Sequence, residues 1–205
     1  MMFYEPHARD KTALPHDPFK AIIAPRPIGW ITTMSKDGAV NLAPYSFFNA
    51  FSGNPPIIGF SSESLKDSAA FSDEKREFTF NLATFDLRDH MNKTSAPLPR
   101  GTSEFEHAGL TPAPSRLVKP PRVQESPAAL ECVVTEIVAL KDRHGAKAGA
   151  LLVIGEVIGV HLDERYIANG RFDTSGAQPI ARCGYQDYAV VKELFSMVRP
   201  AGGGQ

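Results

Sequence analysis

The chain is expected to be an all-β barrel with a few helical insertions. Three observations lead there: short β-rich apolar runs, prolines placed between those runs, and few helical signals. Prolines number 17 of 205 residues, above the usual share of about 5%. They cluster in APRPIG, NPPI, APLPRG, TPAPS and KPPR, where a missing backbone donor ends a strand at little cost.

The elements follow in order. IGWITTMS (28–35) sets Ile28, Trp30, Thr32 and Met34 against Gly29, Ile31, Thr33 and Ser35, the two-residue period of a strand. SKDG (35–38) supplies an Asp-Gly hairpin turn, and AVNLAPYSFFNAFS reads as one return strand. PPIIGFSS reads as a short buried strand. EFTFNLA (77–83) alternates Phe78, Phe80 and Leu82 with Thr79, Asn81 and Ala83, predicting a half-buried strand. Two long strands, 128–140 and 149–163, flank the turn-like KDRHGAKA; Gly155 and Gly159 interrupt the second, as bends and bulges do. Helices are expected near 64–75 and 85–95, with a turn at 103–109. Six or more strands with so little helix describe a barrel. One domain spans 1–205, its core about 20–200, and the tail AGGGQ is expected to be disordered.

Composition narrows the function. Apolar residues make up 42% and charged residues 22%, as in ordinary globular chains. A net charge of -1 argues against a nucleic-acid partner, which calls for a basic face. No apolar run reaches the roughly 18 residues of a membrane span, and MMFYEPHARDK lacks the apolar core of a signal peptide. Cys132 and Cys183 are too few for a disulfide framework. A cytoplasmic location is expected. The six histidines form no HExxH or HxH pattern, and Walker, G-x-S-x-G and G-x-G-x-x-G motifs are absent.

Chemistry concentrates in WITT, NLAPYSFFN and SSESLKDS. Ser64 with Asp67 three residues on fits a capping box, which would put Lys66 in the first helical turn, where cations are disfavoured. Lys66 is then either a solvated lysine between Glu63 and Asp67 or the partner of a bound anion. Thr32, Thr33, Asn41, Ser46, Asn49, Ser61, Ser62, Lys66 and Ser68, with helix-start N–H groups, would form a phosphate cradle. Capping alone accounts equally well for Ser64 and Asp67, and strand propensity for the threonines. Trp30 is by default core, with stacking on a planar cofactor the alternative. Lys93 with the hydroxyls of MNKTS, and Arg182, are either surface groups or further anion contacts; His161 reads as packed.

PRPIGWITTM, G-x-V-N-L-A-P-Y-S-F-F-N, PPIIGFSS, KDS and F-x-x-N-L, followed by SEFEHAGLT, SPAALEC, IGEVIGVHLD and ARCGYQDY, together resemble the flavin reductase-like family over about 20–200. The resemblance implies an FMN-binding split β-barrel, a Greek-key antiparallel fold, working as a homodimer with flavin near the subunit interface. It implies flavin contacts from Thr32, Asn41, Ala43, Ser46, Phe47, Ser61, Lys66, Asp67 and Ser68, and from Asn81 and Arg182. Ser68 stands where the family more often has threonine; the hydroxyl is kept. No acid–base dyad is expected, because the chemistry belongs to the flavin. The implied activity is an NAD(P)H-dependent flavin reductase using FMN, with FAD as the alternative flavin, supplying a partner monooxygenase. A flavin-bearing electron carrier is the second reading; a barrel for pyridoxal phosphate or a deazaflavin is the third.

Overall fold

The structure, a computed structural model, describes residues 1–64, 66–98 and 102–200. The AGGGQ tail and the end of APLPRG lie outside the described residues. Seven antiparallel strands form the main sheet: β1 (Gly29–Met34), β2 (Val40–Tyr45), β3 (Phe48–Gly53), β4 (Pro56–Glu63), β5 (Glu77–Leu82), β6 (Ala128–Lys141) and β7 (Lys147–Leu162). Their order is β2-β1-β5-β6-β7-β4-β3. Strands β8 (Ile180–Gly184) and β9 (Asp187–Val190) make a hairpin that pairs with Arg26–Pro27. The longer helical segments are α1 (Asp67–Lys75), α2 (Arg88–Lys93) and α3 (Glu104–Ala108). None of the described helices is long and apolar enough to cross a membrane.

The return strand expected over AVNLAPYSFFNAFS is instead two strands, broken at Ser46 and Phe47, and these lie at opposite edges of the sheet. Three residue steps from Tyr45 to Phe48 reach at most about 11 Å. The two edges must therefore approach each other, and the sheet curls into a barrel whose β2–β3 seam carries no strand ladder: a split barrel. Aromatic rings fill the inside. Phe48 stacks on Phe80 at 4.9 Å, Tyr45 packs on Phe60 at 4.8 Å, and Phe60 meets Phe78 edge-on at 5.5 Å. Gly29 makes the closure possible, because a Cβ there would lie 2.5 Å from the Phe48 ring. Cys132 belongs to this interior, where burial, and secondarily the Glu131 charge, push its thiol pKa up.

The outer face of β1, β2 and β5 is covered too. Trp30, Leu42, Met91, Phe105, Val123 and Ile180 form a second core beneath α2 and α3. Trp30 is a core residue, and its Nε1–H donates to Thr94 Oγ1 at 3.0 Å. This second layer corrects the half-buried reading of β5: Thr79, Asn81 and Ala83 are as enclosed as Phe78. Thr79 Oγ1 donates to Pro120 O at 2.9 Å, so the covering segment satisfies the polar positions that alternation assigned to water.

The β6–β7 ladder shifts register at Ile154/Gly155 and at Val157/Gly159, as the two glycines predicted. At Gly155 a Cβ would sit 2.5 Å from Phe78 Cε1 and 3.1 Å from Val133 O. Gly155→Ala is expected to destabilise the fold by about 2 kcal/mol through overpacking, read as a lower urea midpoint. An unchanged midpoint would show that Phe78 can retreat freely.

Candidate functional site

A helix follows SSESLKDS as expected, but it starts later in the stretch. Ser64 is not the cap: its φ is +78°, and its N–H remains tied to the sheet through Gly149 O at 2.8 Å. The cap position is Lys66, extended at φ -78° and ψ 169°, and α1 begins at Asp67. The Lys66 side chain makes no cap bond to this end. Ala70 N–H donates to Lys66 O at 2.9 Å, so the first-turn N–H groups ahead of it point out of the helix start. That end carries the positive pole of the helix, and an exposed ammonium stands on the cap residue itself.

Asn41, on β2, reaches across to α1, where its Nδ2 donates to Ser68 Oγ at 2.7 Å. Because Ser68 Oγ accepts that bond, its own proton is left to donate elsewhere. Asn41, Ala43, Lys66, Asp67 and Ser68 line one cavity of about 430 Å³ with Tyr45, Thr94, Ser95 and Glu104. Burial pushes the Tyr45 phenol up in pKa, against the opposing effect of the Ser68 and Ser62 hydroxyls. Glu104 is raised as well, first by burial and further by the charge of Asp67, although the N–H of Leu42 opposes this.

The other predicted residues separate. Ser46, Phe47 and Ser61 line a second cavity of about 570 Å³ with Arg26, Asn49 and Phe51. Cationic groups flank the Phe47 ring, with Lys20 Nζ at 5.5 Å and the Arg26 guanidinium at 5.9 Å. Arg182 lies elsewhere, against Tyr188 at 4.5 Å, its Nη2 donating to Tyr185 O within its own hairpin. Thr32 and Asn81 have no exposed surface. Asn81 Nδ2 donates to Trp30 O at 3.1 Å and to Thr32 Oγ1 at 3.0 Å, and Asn81 Oδ1 accepts from Val123 N–H at 2.7 Å. Its carboxamide is consumed in fastening the 112–127 segment to the barrel.

Tyr45, Glu104 and Arg26 were not anticipated. Tyr45 lay inside the quoted NLAPYSFFN segment, and the hydroxyls of MNKTS were a usable signal for Thr94 and Ser95. Glu104 lay inside the quoted SEFEHAGLT, but nothing in that stretch pointed to Asn41, 63 positions earlier in the chain.

Solved and curated proteins resemble this chain. The structure of nitrilotriacetate monooxygenase component B from Bacillus cereus superposes with a TM-score of 0.87 at 32% identity, covering 96% of this chain and 98% of that one. Flavoredoxin of Desulfovibrio vulgaris (Miyazaki F) shares the fold, with a TM-score of 0.75 at 23% identity over 87% and 93% of the two chains. The uncharacterized protein BH2278 of Halalkalibacterium halodurans is 36% identical over 183 residues, 87% of each chain. The pattern of the flavin reductase like domain matches residues 23–176, most of the chain, which therefore belongs to the flavin reductase-like family.

Proposed function

We propose that the protein is an NAD(P)H-dependent flavin reductase that holds FMN by its phosphate at the start of α1. The observation that carries this reading is a helix start whose cap residue, Lys66, makes no side-chain cap bond, with the Asn41-oriented hydroxyl of Ser68 beside it. A phosphate there would meet N–H dipoles, one ammonium and one hydroxyl donor, the chemistry such a group needs. The remainder of the flavin would extend along Ala43 toward Ser46 and Phe47. Ser61 adds a further hydroxyl in their cavity. Accepting hydride from a nicotinamide is chemistry that the flavin supplies when bound. The chain's own part is to bind, orient and shield.

Similarity to a component B of a monooxygenase at 32% identity supports delivery of reduced flavin to a partner monooxygenase. A homodimer, expected from the family resemblance, would complete the open side of the cavities; light scattering would test it. The visible spectrum of the purified protein, with FMN and then anaerobic NADH or NADPH, tests the function. Flavin bands that bleach with one nucleotide support the reductase and identify its donor. Bands that persist under both would favour the electron-carrier reading. No bands even with added FMN would reject flavin binding. Mass analysis of the released chromophore separates FMN from FAD.

A further inference from the structure

A separate cavity, of about 750 Å³, lies between the 112–127 segment and the end of β7, lined by Arg116, Leu117, Arg122, Gln124, Glu131 and His161 among others. Its charges do not balance internally. Two carboxylates reach it, and both are matched within the protein. Glu131, fully buried, accepts N–H bonds from Arg116 at 2.7 Å, Leu117 at 2.6 Å and Val118 at 3.0 Å, and lies 2.5 Å from His161 Nε2. Asp163 is held by Arg165, with Nη2 at 2.6 Å. The two arginines on the cavity are not matched. Among the described residues neither guanidinium has a hydrogen-bonding or ionic partner, and Arg122 Nε is sealed from solvent with no acceptor.

Both arginines nevertheless have anchored backbones. The Glu131 carboxylate grips the main chain at Arg116 itself. The short strand Arg122–Val123 pairs with Pro112–Ala113, and Val123 is fastened to Asn81. The sealed Arg122 Nε is out of reach of the cavity, but the terminal nitrogens of that guanidinium are not sealed, and with the exposed Arg116 they are the donors that an anion in this cavity would meet. Two guanidinium forks from separate positions of the 112–127 segment offer more donors than a carboxylate's two oxygens need, and suit the three oxygens of a phosphate. The cavity is several times larger than a bare phosphate, and Leu117 and Val160, each 61% exposed, give it an apolar rim.

We infer that this cavity is a second phosphate site, for a nucleotide whose phosphate is clamped by Arg116 and Arg122 and whose base rests on the apolar rim. This does not depend on the flavin reading, since none of the residues of the α1 cradle line it.

Isothermal titration of the full chain with ADP, 2′,5′-ADP and inorganic phosphate tests it. ADP or 2′,5′-ADP is expected to bind, and inorganic phosphate about a hundredfold more weakly. Arg116→Gln and Arg122→Gln should each weaken nucleotide binding about tenfold, and the double variant should abolish it. Arg122→Lys should recover only part of the loss, because an ammonium has no fork. Lys66→Ala should leave it unchanged, and FMN affinity should be unchanged in both arginine variants. Arg116 is exposed, so its variant reports even if Arg122→Gln folds poorly. Nucleotide binding within threefold of the parent in the double variant overturns the proposal, as does inorganic phosphate binding as tightly as ADP. Loss of nucleotide binding in Lys66→Ala, with the arginine variants intact, also overturns it by returning the ligand to α1. So does the absence of binding of both nucleotides to the wild-type chain; dissociation of the double variant in light scattering would then assign the arginines to a protein contact.

Discussion

Glu131→Gln is expected to destabilise the fold by about 3 kcal/mol, measured by urea unfolding at pH 7. Its carboxylate is fully buried and accepts three consecutive main-chain N–H groups and His161 Nε2. An ionised carboxylate can only accept, so Nε2 carries the proton in this pair. Glutamine keeps one acceptor oxygen and turns an NH₂ group toward donors, leaving buried N–H groups unpaired at about 1–3 kcal/mol each. Breaking a buried charge cluster by removing one member costs about 3–5 kcal/mol in comparable sites. A loss below 1 kcal/mol would mean that the 116–118 segment finds other acceptors.

The same site predicts a pH dependence. Burial by itself would raise the Glu131 carboxyl, but the N–H of Arg116, His161, and the N–H groups of Leu117 and Val118 together hold it below its ordinary value of 4.5. A carboxyl lowered in the folded state adds stability that is complete above the unfolded value and disappears as pH falls through the folded one. The difference between wild type and Glu131→Gln should therefore stay constant above about pH 5 and shrink below about pH 4. A difference that grows on acidification would contradict the assignment.

Lys66→Ala is expected to weaken FMN binding by about 1–3 kcal/mol, or roughly five- to 150-fold, in a fluorescence titration. The ammonium would make a charge-assisted bond to phosphate at the helix start. The wild-type affinity should fall with added salt more steeply than that of the variant, since an exposed charge is screened. Stability should scarcely change, because Lys66 is exposed and makes no side-chain cap. Unchanged FMN affinity would make Lys66 a solvated lysine and move the phosphate elsewhere.

Much of the fold was legible in local patterns. The strands at 29–34, 56–63, 128–141 and 147–162 follow from β-rich runs between prolines, and the bulges at Gly155 and Gly159 from interruptions of such a run. The break at Ser46–Phe47 was not legible, because NLAPYSFFNAF reads as unbroken β sequence and only barrel closure requires the chain to change edges there. The helix start was misplaced for a similar reason. Ser64 has the side chain of a cap, but its backbone belongs to the β4 ladder and sits at positive φ.

The site shows the same division. The sequence by itself determined only the candidates: Asn41, Lys66 and Ser68 stood among nine polar residues of three short stretches, and the fold brought Asn41 and Ser68 together in a buried contact beside the exposed Lys66. Tertiary structure alone decided that Asn81 and Thr32 are buried and spoken for, because the 112–127 segment covers their outer face of the barrel. It also decided that Glu131 is a structural anchor, since its partners lie 13 to 30 residues away. Side-chain type follows from composition and spacing. Whether a polar group faces water, a ligand or another part of the chain depends on which distant segment packs over it, and the packed structure alone supplies that.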